Sequence, residues 1–175
     1  MKRKIETYPY GYIYRGKRTV LLWQTNDTDT FMRDSGNRLI QARTMTGMKK
    51  LVRLAAADVR WSEYSEMDFD KFWTALKNLS PNRASSRKTC SVLLSGWNFI
   101  EDLGRTLNRK KEVKRLRSKL LNKAYQKLFH GCNLPPTTPK GKSYSPLWIS
   151  SEIISLRTEF RSVWASFRSQ GYIRP

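Results

Sequence analysis

Four groups of side chains in this sequence have the types and spacing to do chemistry. His130-Gly131-Cys132 sets the single histidine of the chain beside one of its two cysteines. Such a couple can make a nucleophile, or supply two zinc ligands. A nucleophile needs a third group to orient the histidine, and zinc needs two further ligands, for which only carboxylates remain. The plainer reading is a histidine at the negative end of a helix. Asp27-Thr28-Asp29, inside the polar run 24–30, invites a divalent cation. No glycine stands where an EF-hand loop must turn, and no bidentate Glu closes it, so the run reads as a loop of Asx and Ser/Thr turns. Glu63, Glu66, Asp68 and Asp70 form an acidic cluster whose spacing fits the start of a helix better than a hydrolytic pair. Ser35-Gly36 and Ser95-Gly96 lack the G-x-S-x-G frame, and there is neither a P-loop nor G-x-G-x-x-G. No catalytic residue, metal or cofactor is expected, and the chain reads as a non-enzyme.

The fourth group is cationic. Residues 109–127 hold nine basic side chains and one acidic one. Lys110, Lys111, Lys114, Arg115, Lys119 and Lys123 are the candidate partner-binding residues, with Lys127 and Arg117 close to the same row. The whole chain has 175 residues and a formal net charge of +20. Self-repulsion at that level opposes a compact state, so an anionic partner is expected to sustain it. Nucleic acid would meet the row with phosphates and a steep salt dependence. An acidic protein would use the same row for steering and register. Aromatic residues interleave little with these cations, only Tyr125 and Phe129, and no nucleic-acid module is legible. A nuclease site built from Lys, Arg, Tyr and Ser is a weaker third reading.

These residues must be held by helices. From Ser91 to Gly131 the pattern predicts two long helices broken near Asn108. Leu93, Trp97, Ile100, Leu103 and Leu107 line the first, and Val113, Leu116, Leu120, Ala124 and Leu128 the second. Gly96 and Gly104 each cost about 1 kcal/mol relative to Ala in the first helix, which suggests that another backbone packs closely there. Asp68 is a candidate N-cap for a helix burying Phe69, Phe72, Trp73, Leu76 and Leu79 before Ser80-Pro81. Ser85 or Ser86 caps the central helix. A last helix buries Ile149, Ile153, Leu156, Phe160, Val163 and Phe167, with Ser150 as its cap and Trp164 widening the stripe. A short helix over 44–56 turns Met48, Leu51, Val52 and Ala55 inward.

The N-terminal third reads as β-structure. Tyr8-Pro9-Tyr10-Gly11 is expected to turn. Tyr12-Ile13-Tyr14 and Thr19–Trp23 make a hairpin around Arg15-Gly16-Lys17, and the unbroken apolar run Val20–Trp23 implies a strand covered on both faces. A second hairpin flanks the tip Asp34-Ser35-Gly36-Asn37. The expectation is an α+β protein, with a small N-terminal antiparallel β-hairpin sheet packed on a mainly helical body. Residues 1–60 would give the sheet and a short helix, and 61–175 the helical body, as one compact domain. No stretch approaches a membrane span, and no apolar segment follows the basic N-terminus as a signal peptide requires. Two cysteines without a disulfide framework fit a reducing cytosol, so a cytoplasmic, soluble protein is expected.

Several blocks resemble a known kind of protein. Leu22-Trp23-Gln24-Thr25-Asn26-Asp27-Thr28-Asp29-Thr30-Phe31, followed by Ser35-Gly36-Asn37-Arg38-Leu39-Ile40, is similar to the start of small bacterial immunity proteins. These belong to contact-dependent growth inhibition and related polymorphic toxin systems. The blocks Cys90–Leu103, Lys127–Pro135 and Ser143–Trp148 resemble later parts of such proteins. The resemblance implies a cytoplasmic antidote that binds one cognate toxin domain, often a nuclease, and covers its active site or substrate contacts. With this charge, the toxin's contact face would be acidic.

Overall fold

The apolar run near residue 20 has two covered faces because it separates two cores. The computed structural model describes residues 5–25, 27–55, 58–136, 138, 140 and 142–173. Strands β1 (Glu6–Tyr14) and β2 (Lys17–Thr25) form an antiparallel hairpin. Leu21 points into the main core, while Val20 and Leu22 face a smaller cluster with Met48, Val52 and Val59. The hairpin turns at Arg15 and Gly16, both at positive φ (53° and 69°). Asp70 accepts both of their N–H groups at 2.8 Å.

The expected turn over residues 8–11 is instead part of β1. Pro9 pairs opposite Leu22. Thr7, two residues away and so facing the same way, bonds Arg60 on the side opposite β2. The missing N–H of Pro9 therefore falls at an unpaired stretch of edge, where proline is tolerated.

Short strands β3 (Thr30–Phe31) and β4 (Gln41–Ala42) pair with β2, and β5 (Ser65–Asp68) joins β1 in parallel. The architecture is α+β as expected, with a mixed sheet in place of a purely antiparallel one. The 34–37 tip is a turn, closed by Asn37 N–H donating to Asp34 O at 2.9 Å with Asn37 at φ 65°. Helix α1 (Met45–Ala55) starts where Thr44 Oγ1 accepts the Gly47 N–H. It buries Met48 and Val52 but leaves Leu51 exposed, and Ala56 and the Ala55 side chain lie outside the described residues.

The helical body packs on the sheet's other face. Helix α2 (Phe69–Asn78) is capped by Asp68, which accepts from Lys71 N–H at 2.9 Å. Its last carbonyls are closed from outside the helix. Arg157 donates to the carbonyls of Leu76, Lys77 and Leu79 at 3.1, 2.6 and 2.7 Å, satisfying acceptors that a helix end leaves open. Helix α3 (Arg87–Thr106) is capped by Ser86, and Ser85 instead accepts the indole N–H of buried Trp148 at 2.7 Å. A Cβ on Gly96 would lie 2.3 Å from the Phe72 ring, and one on Gly104 2.7 Å from Val113. Side chains, not a neighbouring backbone, occupy the space these glycines leave.

Helix α3 ends as expected at Asn108, whose φ of 55° is the left-handed residue of a helix stop. The expected second helix is broken again, into α4 (Lys110–Leu116) and α5 (Lys119–Gly131). Ser118 between them is extended, with φ −60° and ψ 155°. The break changes the phase of the stripe, so Leu121 is buried and Leu120 only half so. Helix α6 (Ser150–Ser169) buries Ile153, Leu156, Phe160, Val163, Trp164 and Phe167. Its N-cap is Ile149 rather than Ser150. Glu152 reaches back to accept the Ile149 N–H at 3.1 Å, and the Ile149 side chain lies exposed.

Trp97 is fully buried between the rings of Phe160 and Tyr125, 5.0 and 5.2 Å away. Trp97→Ala should lower unfolding free energy by about 3–5 kcal/mol, through lost transfer and a residual cavity. Denaturant titration checks this, and a midpoint within error of wild type would refute the packing.

Candidate functional site

The six cations singled out from the sequence do not form one straight row, because the chain bends at Arg117-Ser118. Lys110, Lys111, Lys114 and Arg115 lie on α4, and Lys119 and Lys123 on α5, all of them exposed. Arg115 is not free for a partner. Its Nη2 lies 2.7 Å from Glu159 and donates to Ser162 Oγ at 3.1 Å, which ties α4 to α6. Glu112 beside it accepts from Ser166 at 3.0 Å. Lys127 is likewise committed, 2.7 Å from Glu152 and bonded to the Leu147 carbonyl. Among the described residues, Lys110, Lys111, Lys114, Lys119 and Lys123 have no carboxylate partner. Lys110 and Lys114 come together with Arg105 and Arg109 around a cavity of about 350 Å³ below the Asn108 stop.

The carboxylates, by contrast, are mostly used inside the fold. Glu66 pairs with Arg18, Glu6 and Glu63 with Arg60, and Asp34 with Arg38. The acidic cluster near residue 66 is thereby dispersed. Asp68 caps α2, Asp70 holds the hairpin turn, and Glu66 and Glu63 serve separate ion pairs. The cationic excess is left on the surface.

A buried polar network stands behind the bend. Glu101, 1% exposed, accepts from the Trp97 indole at 3.2 Å, from Arg105 at 3.1 Å and from Arg117 at 2.5 Å. Arg117 also covers the ring of Tyr125, whose hydroxyl donates to Asn98. Asp102 accepts from Arg105 at 2.6 Å. Burial pushes the Asp102 carboxyl up to about 7, against the pull of Arg105 and with added repulsion from Asp29. A carboxyl titrating near neutrality is what acid–base chemistry uses. Among the described residues no three His, Cys, Asp or Glu side chains gather as a metal site. His130 is exposed at the end of α5, and Cys90 and Cys132 are buried free thiols. Burial raises both thiols, Cys90 to about 11, so neither is poised as a nucleophile.

Two features were not visible in the sequence. Where the last turn of α5 meets the first turn of α6, Leu134, Tyr144, Leu147, Ile149 and Ile154 are exposed, Ile154 to 63%. This segment is fixed: Asn133 holds the Tyr144 backbone at both ends, at 2.6 and 2.9 Å, and Lys127 holds the Leu147 carbonyl. The apolar spacing at Ile149 read as core, because periodicity reports a face and not what covers it. The second feature is a cavity of about 350 Å³ between α2 and α6, walled by aromatic and cationic residues. A larger cavity, about 850 Å³ between α2 and the start of α3, includes Asp68 and Asp70, both already engaged in the fold. No helix among the described residues is long and apolar enough to cross a membrane.

The Asp102 carboxyl makes stability depend on pH. Its ordinary value is 3.8 and the fold raises it to about 7, so the fold favours the protonated form. That contribution is complete below about pH 4 and is lost as pH rises through 7. Asp102→Asn should therefore gain stability relative to wild type between pH 4 and 8, measured by denaturant midpoints. A gap that does not change with pH would refute the assignment. Comparison with protein-family models, with curated proteins and with solved structures returns no match for this chain.

Proposed function

We propose that this protein is a non-enzymatic inhibitor, an immunity protein acting in the cytoplasm that occludes a cognate toxin domain with an acidic contact face. The observation that carries the reading is a set of exposed apolar side chains at the α5–α6 corner, beside a cationic helix. Leu147, Ile149 and Ile154 are exposed, and covering them with a partner removes apolar surface from water. Lys123, one turn before Lys127 on α5, and Lys119, another turn earlier, lie toward the adjacent bend and can steer an acidic partner. A nucleic-acid backbone would engage the lysines but has no use for three exposed aliphatic side chains. The resemblance of the 22–31, 35–40, 90–103, 127–135 and 143–148 blocks to polymorphic-toxin antidotes points the same way. Occlusion needs no turnover, so the purified chain should cleave no nucleic acid.

The test takes any toxin domain found encoded beside this chain and measures protection on co-expression and both rate constants of the purified pair. Lys111→Glu, Lys119→Glu and Lys123→Glu together should slow association by about tenfold or more at low salt and change dissociation little. Ile154→Asp should do the reverse, speeding dissociation by more than about tenfold. Unchanged kinetics in both variants would remove this surface from the interface. Failure of the wild-type chain to protect would refute the inhibitory function. Submicromolar binding to a defined nucleic acid at physiological salt, abolished by the same three lysine reversals, would put nucleic acid in the toxin's place.

A further inference from the structure

The cavity between α2 and α6 combines three properties. Its walls include Tyr14, Trp73 and Trp164, and its rim carries Lys77, Arg161 and Arg168. No carboxylate contributes to its lining, and among the described residues none of these three cations has an ion-pair partner. Arg168 lies over the Tyr14 ring, 5.7 Å from its centre, so its charge stays beside the aromatic wall. Arg157, at the same cavity, is held in place by the carbonyls of Leu76, Lys77 and Leu79.

The third property is an unsatisfied donor. Trp164 is 4% exposed, and its indole N–H has no acceptor. Its ring is fixed between Phe69, Tyr14 and Trp73, with centroids 4.2, 5.3 and 5.7 Å away. Buried donors nearly always find a partner, so this one points to a missing acceptor. A ligand for this cavity needs negative charge for the cations, a flat ring for half-buried Trp73, and an acceptor for Trp164. At about 350 Å³ the space is at the low end of small-ligand sites.

We propose that this cavity binds a nucleotide, either free or as one unit of a single strand. Its phosphate lies on Arg161, Arg168 and Lys77, its base packs on Trp73, and one of its oxygens or ring nitrogens accepts from Trp164. Guanidinium groups are well matched to phosphate, and bases stack on aromatic side chains without regard to sequence. The site is separate from the α5–α6 patch, so it does not depend on the inhibitory reading.

The test titrates the full chain with adenosine monophosphate, a short oligoadenylate, inorganic phosphate and an Asp/Glu peptide. Tryptophan fluorescence and the indole N–H proton resonances are followed. Adenosine monophosphate or the oligoadenylate should quench fluorescence and shift the Trp164 indole proton downfield. Arg161→Gln should weaken that binding by about tenfold. Trp164→Phe, which keeps an aromatic wall, should also weaken it and remove the shifted resonance. Tighter, salt-sensitive binding of the oligoadenylate assigns the site to a strand, and equal affinities assign it to the free nucleotide. If Trp164→Phe does not fold, Arg161→Gln at the exposed rim still decides the matter. Equal affinity for inorganic phosphate, binding of the acidic peptide in place of both nucleotides, or no binding at millimolar concentrations would each overturn the proposal.

Discussion

One buried carboxylate, Glu101, fixes the geometry on which the helical body depends. It stands on α3 and takes hydrogen bonds from Trp97 on its own helix, from Arg105 one turn on, and from Arg117 at the joint between α4 and α5. A charge with almost no access to water is tolerable only with such partners, and losing one partner of a buried pair costs about 3–5 kcal/mol. The joint therefore cannot straighten into a continuous helix without stripping Arg117 from Glu101. That bend sets the direction of α5, and with it the place where Lys119 and Lys123 meet solvent. A polar contact in the interior thus decides how charge is presented outside.

The same economy of carboxylates explains the surface. Ion pairs with Arg18, Arg38, Arg60, Arg115 and Lys127 join segments distant in sequence or close hairpins and helix ends. Most are partly exposed, so each adds little stability and mainly fixes register. Their larger effect is on what remains. Acidic groups are drawn into pairs within the fold, and Lys110, Lys111, Lys114, Lys119 and Lys123 on α4 and α5 stay uncompensated. At physiological salt their field fades over roughly 8 Å, so they act on a partner already near contact. Under the proposed function, the apolar side chains of the α5–α6 corner supply the lasting attachment.

Much of the fold follows from local pattern. The α3 stripe, the Asp68 and Ser86 caps, the stop at Asn108, the hairpin around Gly16 and the buried face of α6 beyond Ile149 all depend on residues within one or two turns of each other. Their spacing is enough to predict them. The candidate site was legible only as composition. Six cations could be named, but Arg115 proved to belong to a contact with Glu159, a residue that sequence spacing cannot bring beside it.

The class of the fold, the position of most helices, and the sign and excess of the surface charge are legible from residue order alone. These rest on side-chain periodicity, capping chemistry and composition, which act over short chain distances or not at all on distance. Long-range packing is what joins β5 to β1 in parallel, bends the 109–131 segment, turns Ile149 to water, and leaves the Trp164 N–H unmet beside a cationic cavity. Each of these depends on segments tens of residues apart meeting. Their cause is the competition among buried partners for a limited set of contacts, and a linear pattern does not record which partner wins.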